Sequence, residues 1–189
     1  MSSSATAGTI LRFQEILDFW FVEIDSKKWW VKDPDFDQEI RSRFDKFHAA
    51  ARTGELVSWR RIAQGRLAEI IVLDQFSRNI FRDSSEAFAS DGMALVLAQE
   101  AVERGVDNEI SMVQIPFLYM PFMHSESGIV HEQAVELFTR LGTRSNLDYE
   151  LRHKAIIDRF GRYPHRNRIL GRVSTAEEEA FLSEPGSSF

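Results

Sequence analysis

The stretch Ile62-Ala63-Gln64-Gly65-Arg66-Leu67-Ala68-Glu69-Ile70-Ile71-Val72-Leu73-Asp74-Gln75-Phe76-Ser77-Arg78-Asn79-Ile80-Phe81 decides the fold class of this chain. Its spacing predicts one long helix. Between Leu67 and Leu73 the residues are apolar nearly all round, with Glu69 the exception. A helix of that composition is buried on most sides. Past Leu73 the pattern changes, and Asp74, Arg78 and Arg82 fall on one stripe at four-residue steps, with Gln75 and Asn79 on the next.

Outward from this helix the spacing stays helical, and strand-like alternation is nearly absent. A first helix is predicted over Ile10 to Ile24, with Leu11, Phe13, Ile16, Leu17, Trp20 and Phe21 inward. Asp33-Pro34 is a helix start, an N-cap followed by proline in the first turn. That helix runs to about Arg52, with Gly54 as its C-terminal cap. Ser84 or Ser85 is expected to cap a fourth helix that continues to Glu103 and ends at Gly105. Gln114 to Met123, with Pro116 near its start and Pro121 near its end, reads as a short apolar helix. Val130 to Leu141 and Tyr149 to Phe160 form a further pair, and Ser174-Thr175-Ala176-Glu177 is a capping-box pattern for a last helix ending near Leu182. The expectation is all-α: a single-domain antiparallel array of about seven or eight helices over residues 10–182. Tails are expected over 1–9, disordered, and over 183–189. Successive helix pairs of similar length suggest a helical-repeat layer, although no sequence repeat aligns.

Composition narrows the classes. With 43% hydrophobic and 28% charged residues the chain is an ordinary globular one. Fifteen phenylalanines and four tryptophans imply a core of large rings. The absence of cysteine excludes disulfides, thiolate metal ligands and a cysteine nucleophile, and fits a cytoplasmic location. No apolar stretch is long enough to cross a bilayer, and Met1 to Gly8 lacks the pattern of a secretory signal. A net charge of −6 disfavours nucleic acid as a partner for the whole surface.

Against that negative background, Arg159-Phe160-Gly161-Arg162-Tyr163-Pro164-His165-Arg166-Asn167-Arg168-Ile169-Leu170-Gly171-Arg172 holds five arginines, one histidine and no acid. Gly161 ends a helix and Pro164 prevents its continuation, so these cations sit on a constrained turn. They are neutralised either by carboxylates from elsewhere in the chain or by an anionic ligand. The same alternatives apply to the Asp74–Arg78–Arg82 stripe: an internal ion-pair rack, or a polar wall facing a ligand. A third segment, Met120-Pro121-Phe122-Met123-His124-Ser125-Glu126, brings His124 from an apolar helix to the edge of the core. Glu126 is placed to orient it or to act as a base. His131 and Glu132 read as exposed first-turn residues, and His153 and Asp158 are lesser candidates. His48 reads as structural, and Trp29-Trp30 as a cover for the core edge. The spacing of His124, Glu126 and His131 matches no metal motif, and Ser125 lacks the elbow of a serine nucleophile, so neither metal nor cofactor is expected.

Four segments carry a family resemblance: Ile16-Leu17-Asp18-Phe19-Trp20-Phe21, Leu73-Asp74-Gln75-Phe76-Ser77-Arg78-Asn79, Pro121-Phe122-Met123-His124-Ser125-Glu126, and Arg159 to Asn167. In this order they resemble the bacterial domain-of-unknown-function family numbered 924, over about Ile10 to Leu182. The resemblance implies an all-helical, tetratricopeptide-like arrangement of helix pairs and supplies almost nothing about function. The chain departs from the pattern at Ser77 (where proline is expected), Val22 (glycine) and Tyr163 (phenylalanine). None of these is a charged position.

The functional expectation is a pocket for a small anionic molecule or a peptide carboxylate, with Asp74, Gln75, Arg78, Asn79, Arg82, Arg162, Arg166 and Asn167 as its binding residues. Two alternatives stand beside it. One is a cofactor-free hydrolase or transferase on a phosphoester-like substrate, using His124, Glu126 and His165. The other is a scaffold for another protein.

Overall fold

The computed structural model describes residues 12–187. The tail expected over 1–9, with Ile10 and Leu11 of the first helix, lies outside the described residues, as do the last two residues of the tail expected over 183–189. Among the described residues the ordered elements are all helical. The α-helices, joined by 3-10 and π-turns, are α1 (Phe13–Asp18), α2 (Pro34–Arg52), α3 (Ala63–Ile71), α4 (Ser77–Ile80), α5 (Asp91–Glu103), α6 (Ile115–Met123), α7 (Gly128–Leu141), α8 (Arg144–Phe160) and α9 (Ala176–Leu182).

The caps follow local chemistry. The Asp33 carboxylate accepts from the backbone N–H groups of Asp35 and Phe36, at 3.0 and 3.3 Å, and Pro34 opens α2. Gly54, Gly105, Gly142 and Gly161 close α2, α5, α7 and α8 with positive φ. The capping box of α9 uses Thr175 and Glu178, one residue later than the spacing predicts, and Glu177 meets Arg159 at 2.9 Å instead.

The stretch from Ala63 to Ile80 is continuous helix, as predicted, but not uniform. A π-turn over Val72–Phe76 separates α3 from α4. Such turns insert one residue into the helical register and reorient the side chains around them. The helix stops at Ile80, with Phe81 at φ −116 and ψ 30. Arg82 therefore leaves the Asp74–Arg78 stripe. Downstream, Ser84 caps a 3-10 turn, Ser85–Phe88, rather than a long helix, and α5 begins at Asp91. Helix α6 runs through Pro121 to Met123.

Helix α3 and its π-turn lie at the centre of one core. Leu67, Ala68, Ile70, Ile71, Val72, Leu73 and Phe76 are all fully buried. Around Phe76 stand Phe44, Trp20 and Phe19, with ring centroids at 5.0, 5.4 and 6.1 Å. Burying each such aromatic side chain stabilises the fold by roughly 1.5–3 kcal/mol. Gly65 lets α3 close on the 3-10 turn Val57–Arg61: a Cβ there would stand 2.2 Å from the Trp59 carbonyl oxygen. Trp29 covers the core edge, donating from Nε1 to the Trp20 carbonyl at 2.9 Å, while Trp30 stays exposed. His48 is structural, buried with Nε2 at 2.8 Å from Ser77 Oγ.

A smaller cluster of Ile156, Ile157, Tyr163, Phe160 and Phe181 secures α8 and α9. His131 corrects its expectation of exposure. It is fully buried, with Nδ1 2.6 Å from Glu150 and Nε2 donating to the Ser125 carbonyl at 2.9 Å. Glu132, its neighbour, is exposed. No described helix is long and apolar enough to cross a membrane.

Candidate functional site

The π-turn of the central helix carries Asp74, whose side chain is 1% exposed. Three groups hold its carboxylate. His124 Nδ1 lies 2.8 Å from Oδ1, Gln75 Nε2 donates to Oδ2 at 2.7 Å, and Arg78 Nη1 lies 3.1 Å from Oδ1. Burial alone would raise the pKa of this carboxyl, but the charge of Arg78 and the contact with His124 outweigh it and hold it well below the usual range. His124 stands at the C-terminal end of α6, where the apolar helix delivers it to the core edge. Burial, reinforced by the Arg78 charge, lowers its pKa below the ordinary histidine value.

Arg78 reaches outward from the same turn. It donates from Nη1 to Asp91 Oδ1 at 3.0 Å and from Nη2 to Oδ2 at 3.1 Å. Arg166, from the arginine-rich turn, meets the same carboxylate through Nη1 at 3.3 Å. Its guanidinium lies 4.6 Å from the ring centres of both Phe88 and Tyr163. Aromatic faces hold a guanidinium flat and partly stabilise its charge. Arg166 is only 6% exposed, and its Nε is buried without a hydrogen-bond partner. Burial, with the Arg78 charge adding to it, depresses its pKa.

Of these groups His124, Asp91, Phe88 and Arg166 line a groove of about 340 Å³, and Asp74, Gln75 and Arg78 stand behind them. Its lining is Ser85, Phe88, Ala89, Asp91, Gly92 and Leu95 together with Pro121, His124, Ser125, Glu126, Arg166 and Leu170. Glu126 makes no hydrogen bond to His124. Arg172 holds it at 2.6 and 2.9 Å, and it accepts from the Tyr163 backbone N–H at 2.8 Å. Burial opposes its ionisation, but these contacts prevail and its pKa falls below the ordinary value. Tyr163 donates to the Met123 carbonyl at 2.6 Å and so ties the arginine-rich turn to the end of α6.

The structure thus gathers Asp74, Gln75, Arg78, His124, Glu126 and Arg166. The other sequence candidates lie apart. Asn79 and Arg82 both hold Asp37 of α2, the amide at 2.8 Å and the guanidinium through Nη2 at 2.7 Å. Arg162 is bound by Glu178 at 2.6 and 2.8 Å, and Asn167 donates to Ser174 and Glu178. His165 packs on Tyr163, ring centroids 5.4 Å apart, and is not among the groove-lining residues. Asp91 and Arg172 were missed by sequence reasoning. Asp91 was hidden because a helix starting at Ser84 or Ser85 would place it mid-helix, whereas it stands in the first turn of α5. Among the described residues no group of three or more His, Asp and Glu is arranged to hold a metal ion. A second hollow, of about 380 Å³, is lined by Arg12, Phe13, Gln14, Ser58, Trp59, Arg61 and Ile62, and contains neither histidine nor carboxylate.

Fold and site together define an all-helical protein with an aspartate–histidine pair and two convergent arginines at the rim of its core. The chain belongs to the family described as bacterial protein of unknown function (DUF924), whose family model matches residues 16–186. It is similar to a solved protein of unknown function from Agrobacterium tumefaciens. That likeness has 39% identity and a TM-score of 0.86, and covers 90% of this chain and 96% of that one. No curated protein sequence matches the chain.

Proposed function

We propose that the groove binds a small anionic molecule, bearing a carboxylate or a phosphate, through Arg166, with Arg78 behind it on their shared Asp91. The observation that carries this reading is the state of Arg166. It is nearly buried, its Nε has no partner, and among the described residues its one carboxylate within 4 Å is Asp91, which it shares with Arg78. Buried cations are normally matched by charge and hydrogen bonds on every side. Arg166 shares its carboxylate with Arg78, which Asp74 also neutralises. A ligand carboxylate or phosphate offers Arg166 the hydrogen bonds it lacks and suits its planar fork. Asp91 then acts as an internal stand-in that the ligand displaces or supplements.

Thermal denaturation with glutarate or inorganic phosphate, at constant ionic strength, tests this. An anion at ten times its dissociation constant stabilises by about 1.4 kcal/mol, a rise of about 3–5 °C for a chain of this size. Arg166→Met is expected to abolish the rise. If neither anion shifts the wild-type transition, the reading fails.

A further inference from the structure

The groove holds a second chemistry beside Arg166. Asp74 is ionised and can only accept hydrogen bonds, so His124 Nδ1 carries the ring proton and donates it at 2.8 Å. That fixes the tautomer and leaves the lone pair on Nε2. Nε2 has no hydrogen bond to any described residue, and His124 lines the groove. A buried carboxylate holding a neutral imidazole is the arrangement that makes a histidine a proton acceptor. Arg78 touches both Asp74 and Asp91, so the imidazole and the anion-binding groups share one hydrogen-bonded frame.

We propose that His124 is the general base, and then the general acid, of a hydrolysis at an acyl carbon. The substrate is an ester or amide that also carries a free carboxylate, which Arg166 anchors. The inference rests on the anion-binding reading of the groove. Nε2 takes a proton from water as the water oxygen bonds to the acyl carbon, giving a tetrahedral intermediate. The imidazolium returns that proton to the leaving oxygen or nitrogen as its bond to carbon breaks. The products are a dicarboxylic acid and an alcohol or amine, and His124 ends neutral. Asp74 is a positioning residue, holding the tautomer and stabilising the transient imidazolium.

One imidazole decides between acyl and phosphoryl chemistry. Displacement at phosphorus places the entering and leaving oxygens in line on opposite sides, so a single fixed base cannot serve both. Addition to a carbonyl and collapse of the adduct occur within reach of one group. The other ionisable groups lining the groove are engaged: Glu126 by Arg172, and Asp91 by the two arginines.

The test uses the full chain with mono-4-nitrophenyl glutarate, its neutral counterpart 4-nitrophenyl butyrate, and 4-nitrophenyl phosphate, each corrected for uncatalysed hydrolysis. The carboxylate ester is expected to be turned over with kcat/KM at least about ten-fold above the neutral ester, the scale of one lost charged contact. His124→Gln is expected to lower kcat by about 10²- to 10⁴-fold with KM nearly unchanged. Arg166→Lys is expected to act mainly on KM, and Asp74→Asn to lower kcat and displace the acidic limb of the pH profile. In the wild type the rate must fall on acidification as one group protonates below the ordinary histidine value of 6.5. That limb needs no variant to fold. Glutarate stabilisation without ester turnover, equal turnover by His124→Gln, a pH-independent rate, or preferential hydrolysis of the phosphate ester each overturns the catalytic inference while leaving anion binding intact. Absence of any glutarate shift removes both.

Discussion

Asp91 is the residue on which the groove turns. Its carboxylate receives three hydrogen bonds from two guanidiniums that would otherwise repel each other. Removing it by Asp91→Ala leaves two partly buried cations without their shared partner, a loss expected at about 1.5–3 kcal/mol. Formate or acetate added to that variant occupies the same place and is expected to restore part of its melting temperature, with little effect on the wild type. A variant as stable as wild type and indifferent to formate would show that Asp91 does not bridge the arginines. At this scale the sequence named Asp74, Arg78, His124 and Arg166, because each stands in a run whose polar residues interrupt an apolar helix or a proline-stiffened turn. It did not name Asp91, whose importance comes from neighbours distant in sequence.

Among the elements, the central helix and its close contact with the preceding turn bear most of the packing. Gly65→Ala drives a methyl group into the Trp59 carbonyl, and is expected to destabilise by about 1–3 kcal/mol in chemical denaturation. Gly128→Ala, at the start of α7 with nothing within 4 Å of the added carbon, is expected to be neutral or slightly stabilising. Equal effects would refute the steric account. Helix ends were legible where a single residue makes them, as at Asp33-Pro34, Gly54, Gly105 and Gly161. The π-turn over Val72–Phe76 was not legible. Its extra residue is a matter of backbone register, and register inside a buried helix is set by what packs around it. The helix end at Ile80 divides the stripe that the spacing draws as one: Arg78 keeps Asp74 and reaches Asp91, and Arg82, beyond the helix, turns to Asp37.

For the whole molecule, burial of neutral histidines dictates the response to acid. Burial first, with Arg52 adding to it, holds His48 down to about 4. Burial likewise lowers His153 to about 3, and with Arg166 it lowers His165 to about 4. Each folded value lies below the unfolded 6.5, so the unfolded chain binds protons that the fold refuses. Stability is complete above about pH 6.5 and is expected to decline as pH falls toward 4. Glu178, held at about 2 by Arg162, adds a second decline from about 4.5 down to 2. Urea midpoints measured from pH 8 to 3 check this. His48→Gln is expected to flatten the upper part of the curve, and Glu178→Gln the lower part. A midpoint constant between pH 7 and 4 would contradict the burial of these rings.

The sequence by itself determined the all-helical class, the burial of the helix through Leu67 to Leu73, most helix ends, and the three segments where charge gathers. These depend on interactions within about four residues, which spacing and capping residues express directly. Only the tertiary structure decided which cation meets which carboxylate. Arg166 finds Asp91 across 75 positions, Arg172 finds Glu126 across 46, and His124 finds Asp74 across 50. Arginine and carboxylate attract without regard to sequence distance, so their pairing is chosen by how the helices pack.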